Sequence, residues 1–201
     1  MIFLKKLFIL IFFLYGMGIS ASEADIVEIS IKGQSPQERA INFLKKNGKD
    51  LGVNLADSNY RVEIDYSEYI DVTDRYQTYL LIFYKNIPFD NRIVIGEDSS
   101  GIISYFFGYI PPVEDKYTRP TVDMKRAILN ARSYIHKKSS AYHTINVKSS
   151  KLVLRNDMAY SNNKLTSKTK AEWRIQYNDN GIIYVDAITG QVTIWDSGRR
   201  I

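Results

Sequence analysis

The amino-acid sequence predicts an α+β fold made of two similar units, each a helix packed on an antiparallel sheet of three to four strands. Three observations carry this. Each half of the 201-residue chain opens on an amphipathic helix with its own start signal. Strand-like runs separated by turn formers follow each helix. The order helix, strand, strand, hairpin then occurs twice.

Ahead of both units, Lys5 and Lys6 precede an almost unbroken apolar run over 7–19, which Ser20, Ala21 and Ser22 follow. This is the order of a secretory signal peptide, whose apolar core is shorter than the ~20 residues a membrane-crossing helix needs. A cleaved leader over 1–21 is expected, cut between residues 20 and 24, which makes the protein periplasmic or secreted. Retention of the segment as a membrane anchor is the alternative. With no cysteine in the chain, neither a disulfide framework nor a lipidated cysteine is available. Loss of Lys5 and Lys6, with no acid lost, takes the formal charge from +5 to +3. Acids and bases interleave along most of the chain, so no nucleic-acid partner is expected.

The first unit is assigned to 22–112. Ser35-Pro36-Gln37-Glu38 is a capping box with proline at the first helical position. Ala40, Ile41 and Leu44 give the helix its apolar face, and Gly48 supplies a stop. Strand-like runs follow at 60–66, 78–84, 92–97 and 101–107, the last two joined by the turn Asp98-Ser99-Ser100-Gly101. Pro111-Pro112 closes the unit, and "VEDKYTRP" (113–120) reads as a linker.

The second unit is assigned to 121–195. Thr121 is the expected cap of a helix whose apolar stripe is Met124, Ala127, Ile128, Ala131 and Ile135, with Lys137 and Lys138 at its negative end. Strands are expected at 151–155, 172–177, 182–186 and 191–195, with Asn178-Asp179-Asn180-Gly181 as a hairpin turn. "SNNKLTSKTKA" (161–171) is polar and unpatterned and is expected to be a loop. Residues 196–201 form a short polar tail.

The halves also correspond residue by residue, since "IVIGEDSSGIISYF" (93–106) lies against "IIYVDAITGQVTIW" (182–195). In each, an acid, Glu97 or Asp186, precedes a glycine, Gly101 or Gly190, by four positions. The acid is expected to accept backbone N–H groups inside the turn, and the glycine to take a positive φ.

These residues resemble a known family. Tyr184-Val185-Asp186-Ala187-Ile188-Thr189-Gly190-Gln191-Val192 resembles the hydrophobic–Asp–Ala–x–Thr–Gly–x–hydrophobic signature of PepSY domains. The preceding Ala171-Glu172-Trp173-Arg174-Ile175 resembles that domain's Leu-Ala-Trp strand, with Glu172 as a departure. The first half is similar to the propeptide segment of thermolysin- and fungalysin-type metalloproteases. There "YLLIFYKNIPF" (79–89) fills the aromatic strand and the Gly-hydrophobic-Pro-Val slot, with Asn86 and Phe89 departing from Gly and Val. The resemblance implies cystatin-like units and a stand-alone pro-region that inhibits a secreted or periplasmic peptidase or assists its folding.

No catalytic constellation is found. There is no HExxH; the histidines are His136 and His143; no Gly-x-Ser-x-Gly or phosphate-binding loop occurs. A non-enzyme without cofactor or metal is therefore expected. The carboxylates Asp57, Glu63, Asp65, Glu68, Asp71 and Asp74 lack the calcium-loop pattern and read as a solvated face. Tyrosines Tyr60, Tyr66, Tyr69, Tyr76, Tyr79, Tyr84, Tyr105 and Tyr109 suit a sheet surface or a protein-recognition surface. Partner contact is assigned to Trp173, Trp195, the exposed tyrosines and the tail residues Asp196, Arg199 and Arg200. A structural or sensory module of the cell envelope, with no protease partner, is the alternative.

Overall fold

The computed structural model describes residues 25–139, 145–161, 164–178 and 180–198. The expected leader, His143, Asp179 and the tail residues Arg199 and Arg200 lie outside them. The fold is α+β, a mostly antiparallel sheet with few helices. The chain divides into two compact units: one is Met1–Ile82 with Arg92–Tyr109, the other Phe83–Asn91 with Ile110–Ile201.

In the first unit, helix α1 (Pro36–Asn47) starts as its sequence dictates. Ser35 Oγ accepts from the Glu38 amide at 3.2 Å, and Glu38 reaches back to the Gln34 amide at 2.8 Å. Its buried stripe is Ala40, Phe43 and Leu44, so Phe43 replaces the expected Ile41. The helix ends at Gly48 as expected, with φ −59° rather than in a left-handed turn. The backbone continues through a 3-10 turn over Gly48–Leu51, and a Cβ at Gly48 would meet the Val53 carbonyl at 2.7 Å.

The strands of this unit are β1 (Asp25–Ser30), β2 (Tyr60–Ile70), β5 (Ile102–Phe107) and the parts of β3 (Arg75–Tyr84) and β4 (Ile87–Asp98) outside 83–91, a segment that belongs to the second unit; the order is β1-β5-β4-β3-β2. Strand β1 was not expected. Period-two alternation buries Thr78, Leu80 and Ile82 on β3, whereas every residue from Ile93 to Glu97 on β4 is buried. The Phe43 ring from α1 meets Phe106 with centroids 5.3 Å apart.

In the second unit, helix α2 (Met124–Lys138) is capped by Asp123, whose Oδ1 accepts from the Arg126 amide at 2.8 Å. The expected cap, Thr121, is engaged elsewhere: its amide donates to the Ala187 carbonyl at 2.9 Å and its hydroxyl to the Ile188 carbonyl at 2.6 Å. Strands β6 (Val147–Ser161), β7 (Lys164–Tyr177), β8 (Gly181–Asp186) and β9 (Val192–Asp196) pair antiparallel in chain order. The expected loop over 161–171 is instead largely the start of β7, because backbone pairing with β6 satisfies its amides despite the polar composition. Phe89 of β4 pairs in parallel with Leu154. Ala127, Ala131 and Ile135 pack on Ile175, Tyr177, Ile183 and Val185 to form the core.

Phe43 is fully buried, so Phe43→Ala leaves a cavity under α1. A loss of about 3–5 kcal/mol is expected in urea unfolding. A change under 1 kcal/mol would show that α1 does not close the sheet.

Candidate functional site

The two hairpin turns are alike in chemistry but not at the residues expected. Asp186 Oδ1 accepts from the Ile188 and Thr189 amides, both at 2.8 Å. In the first unit that role belongs to Asp98, which accepts from the Ser100 and Ile102 amides at 2.9 Å each. These amides and the Ser100 hydroxyl hold the Asp98 carboxyl below its usual range. Gly101 (φ 81°) and Gly190 (φ 73°) both take the left-handed conformation. Each hairpin also carries an irregularity just ahead of the acid, between Gly96 and Glu97 and between Tyr184 and Val185. Asp98, not Glu97, therefore matches Asp186.

Glu97 points inward instead. Its carboxylate takes two hydrogen bonds from Arg39 of α1, at 2.9 and 2.6 Å. That pairing holds the Arg39 guanidinium above its ordinary pKa, against the opposing cost of burial. The second unit has a pair of the same kind between Arg155 of β6 and Glu172 of β7, with Glu172 only 1% exposed. Glu172 stands where the resembled family has an apolar residue, and Arg155 neutralises it. Arg155 also lies over the Tyr184 ring, 5.3 Å from its centroid. The Tyr184 hydroxyl donates to Asp90 at 2.5 Å, and Arg174 lies 3.6 Å from Asp90. Burial, then the bond to Asp90, pushes the Tyr184 phenol up to about 12.

Neither tryptophan is free. Trp173 Nε1 donates to the Val122 carbonyl at 2.8 Å. Trp195 Nε1 donates to the Tyr177 hydroxyl, and its ring meets Tyr134 edge-on at 6.1 Å. Both flank the core of the second unit. Asp196 is tied locally: its carboxylate accepts from the Gly198 amide at 2.9 Å and its carbonyl from Tyr177 at 3.3 Å. Among the described residues strand β9 pairs only with β8, leaving an open edge on which Ile194 is 41% exposed. Beside it lies a shallow groove of about 230 Å³ lined by Asn130, Ser133, Tyr134, Lys137, Gly190 and Val192.

The first unit exposes a broader aromatic surface. Among the described residues strand β2 pairs only with β3, and Ile64, Tyr66, Tyr69 and Tyr76 are all exposed. Tyr66 stacks on Tyr79 at 4.1 Å, and Tyr69 tilts against Tyr76 at 5.0 Å. Tyr79 donates to Gln77 at 2.7 Å, and Gln77 in turn bonds Tyr105. Tyr105 lies over Gly96, where a Cβ would meet the ring at 2.1 Å. Burial and then the Tyr66 contact raise the Tyr79 pKa.

The carboxylates of 57–74 do not converge. Asp57 closes a local turn on the Asn59 amide at 2.9 Å; Glu63 pairs with Arg61 and Asp65 with Arg92. Asp74 accepts from Tyr69 at 2.5 Å. Among the described residues no three histidine, cysteine or acidic side chains are placed to hold a metal. His136 is exposed on the last turn of α2.

Two outcomes check this account of the second unit. Arg155→Met alone takes this cation from the buried Glu172 carboxylate and is expected to cost about 3–5 kcal/mol, while adding Glu172→Leu recovers most of the loss. Additive losses in the double variant would contradict the pairing. Because the folded Tyr184 pKa lies above its unfolded value, its contribution is present below pH ~10 and fades as pH rises toward about 12. Tyr184→Phe should flatten the alkaline fall in stability over that window, measured by unfolding at stepped pH.

The chain matches no protein-family model and no curated protein. Among solved structures it is similar to an uncharacterized protein from Eubacterium rectale, at 18% identity and a TM-score of 0.38. The match covers 78% of this chain and 55% of that one, so the chain spans about half the length of that protein.

Proposed function

We propose that the chain is an exported, non-catalytic protein-binding module of two cystatin-like units that engages a secreted or periplasmic peptidase, inhibiting it or assisting its folding. The observation that carries this is the open β2 edge with its exposed Ile64, Tyr66, Tyr69 and Tyr76. Unpaired backbone N–H and C=O groups on an edge strand accept an added strand. Tyrosine beside them supplies large, rigid contact area with a polar tip. The β9 edge offers the same main-chain chemistry in the second unit. Trp173 and Trp195 spend their indole N–H groups internally, so in this reading they brace the β9 region while the tyrosines act as anchors. The peptidase as partner rests on the resemblance of 79–89 and 184–192 to metalloprotease pro-regions.

The test is titration of a thermolysin-like metalloprotease with the purified chain, with and without residues 196–201. Inhibition or binding at micromolar concentration or tighter is expected. The pair Tyr66→Ala and Tyr69→Ala should weaken it roughly tenfold or more. Neither inhibition nor binding at micromolar concentration removes the peptidase reading and favours an envelope module.

A further inference from the structure

Helix α2 carries five cations, Lys125, Arg126, Arg132, Lys137 and Lys138, and no carboxylate. At 3.6 residues per turn, the first four fall on one arc opposite the buried stripe of Ala127, Ala131 and Ile135. All four are exposed, and Leu129, 53% exposed, stands at the centre of the arc. Several cations elsewhere do meet carboxylates, Arg39 and Arg155 on buried acids, Arg61 and Arg92 on exposed ones. Among the described residues no carboxylate lies within ion-pair distance of these four. With no acid among the residues of α2, the four cations stand together on this helix face.

Four unneutralised cations around a protruding leucine, on a convex helix, complement a flat anionic surface into which an apolar side chain can enter. The arc holds no phenylalanine, tyrosine or tryptophan ring for a nucleobase to stack on, and its one imidazole, His136, stands in the last turn of the helix. Leu129 instead suits the boundary between headgroups and acyl chains. We propose that this face of α2 docks on the surface of an anionic phospholipid bilayer, held by Lys125, Arg126, Arg132 and Lys137 and seated by Leu129. This goes beyond the peptidase reading and does not rest on it. Each cation near an anionic leaflet raises partitioning roughly fivefold, so four give an anionic-over-zwitterionic preference on the order of several hundred-fold. Salt at molar strength shortens the screening length to about 3 Å and removes it.

The chain has no cysteine, so Leu129→Cys in the full chain takes a single environment-sensitive fluorophore on α2 itself. Attachment through residues 7–19 alone leaves that probe in water. A blue shift on phosphatidylglycerol vesicles is expected, absent on phosphatidylcholine and abolished by molar salt. Adding Arg126→Glu with Arg132→Glu should lower partitioning by 25-fold or more. The charge-matched Lys45→Glu with Lys46→Glu, exposed on α1, should keep the shift. The proposal is overturned by no shift on anionic vesicles, by an equal shift on phosphatidylcholine, or by equal loss in the α1 control. A shift given by polyglutamate but not by vesicles would assign an acidic protein instead and overturn it as well.

Discussion

A β-sheet has two faces, and each unit of this protein supplies one α-helix to cover them. Much of the remaining structure follows from how the second face is handled. In the first unit α1 brings Phe43 to the side of the sheet that carries Phe106, and the opposite side bears Tyr66, Tyr79, Gln77 and Tyr105, joined by stacking and hydrogen bonds. Tyrosine meets both demands there, packing its ring on the pleat and keeping its hydroxyl wet. In the second unit α2 lies over Ile175, Ile183 and Val185. The alternate residues of those strands, Glu172, Arg174 and Tyr184, meet Arg155 and Asp90.

Buried carboxylates are the cost of this arrangement. Glu97 and Glu172 are almost fully enclosed, and an ionised group there is tolerable only with a cation held in hydrogen-bonding geometry. Arg39 reaches Glu97 from a helix, so that pair fastens α1 to β4. Arg155 reaches Glu172 from the neighbouring strand and helps fix the register of β6 against β7. Such pairs add more to the choice of one packing than to net stability, since an apolar pair of equal volume serves about as well.

The parts legible in the sequence are those decided by neighbours along the chain. The cap at Ser35, the turn at Asp186 and the positive φ of Gly101 and Gly190 are local chemistry. What was missed depends on distant partners. Polar residues 164–171 are a strand because β6 runs beside them. Thr121 loses its capping role to Asp123 because its bonds to the Ala187 and Ile188 carbonyls tie it down ahead of a helix that starts at Met124. Glu97 and Asp98 are adjacent acids, and only the position of Arg39 decides which turns inward. Of the candidate contact residues, Tyr66, Tyr69, Tyr76 and Tyr109 are exposed while Tyr84 is buried, and the two tryptophans are committed to internal hydrogen bonds that no pattern in their own strands discloses.

In the proposed function, partners are met through edges and an aromatic face. Amide hydrogen exchange, read with and without a thermolysin-like peptidase, tests that most directly. The expected result is rapid exchange at alternate amides of β2 and β9 in the free protein, with protection gained there, and at the flanking tyrosines, on mixing. Edges already protected in the free chain, or protection confined to residues outside 60–70 and 192–196, would contradict the account.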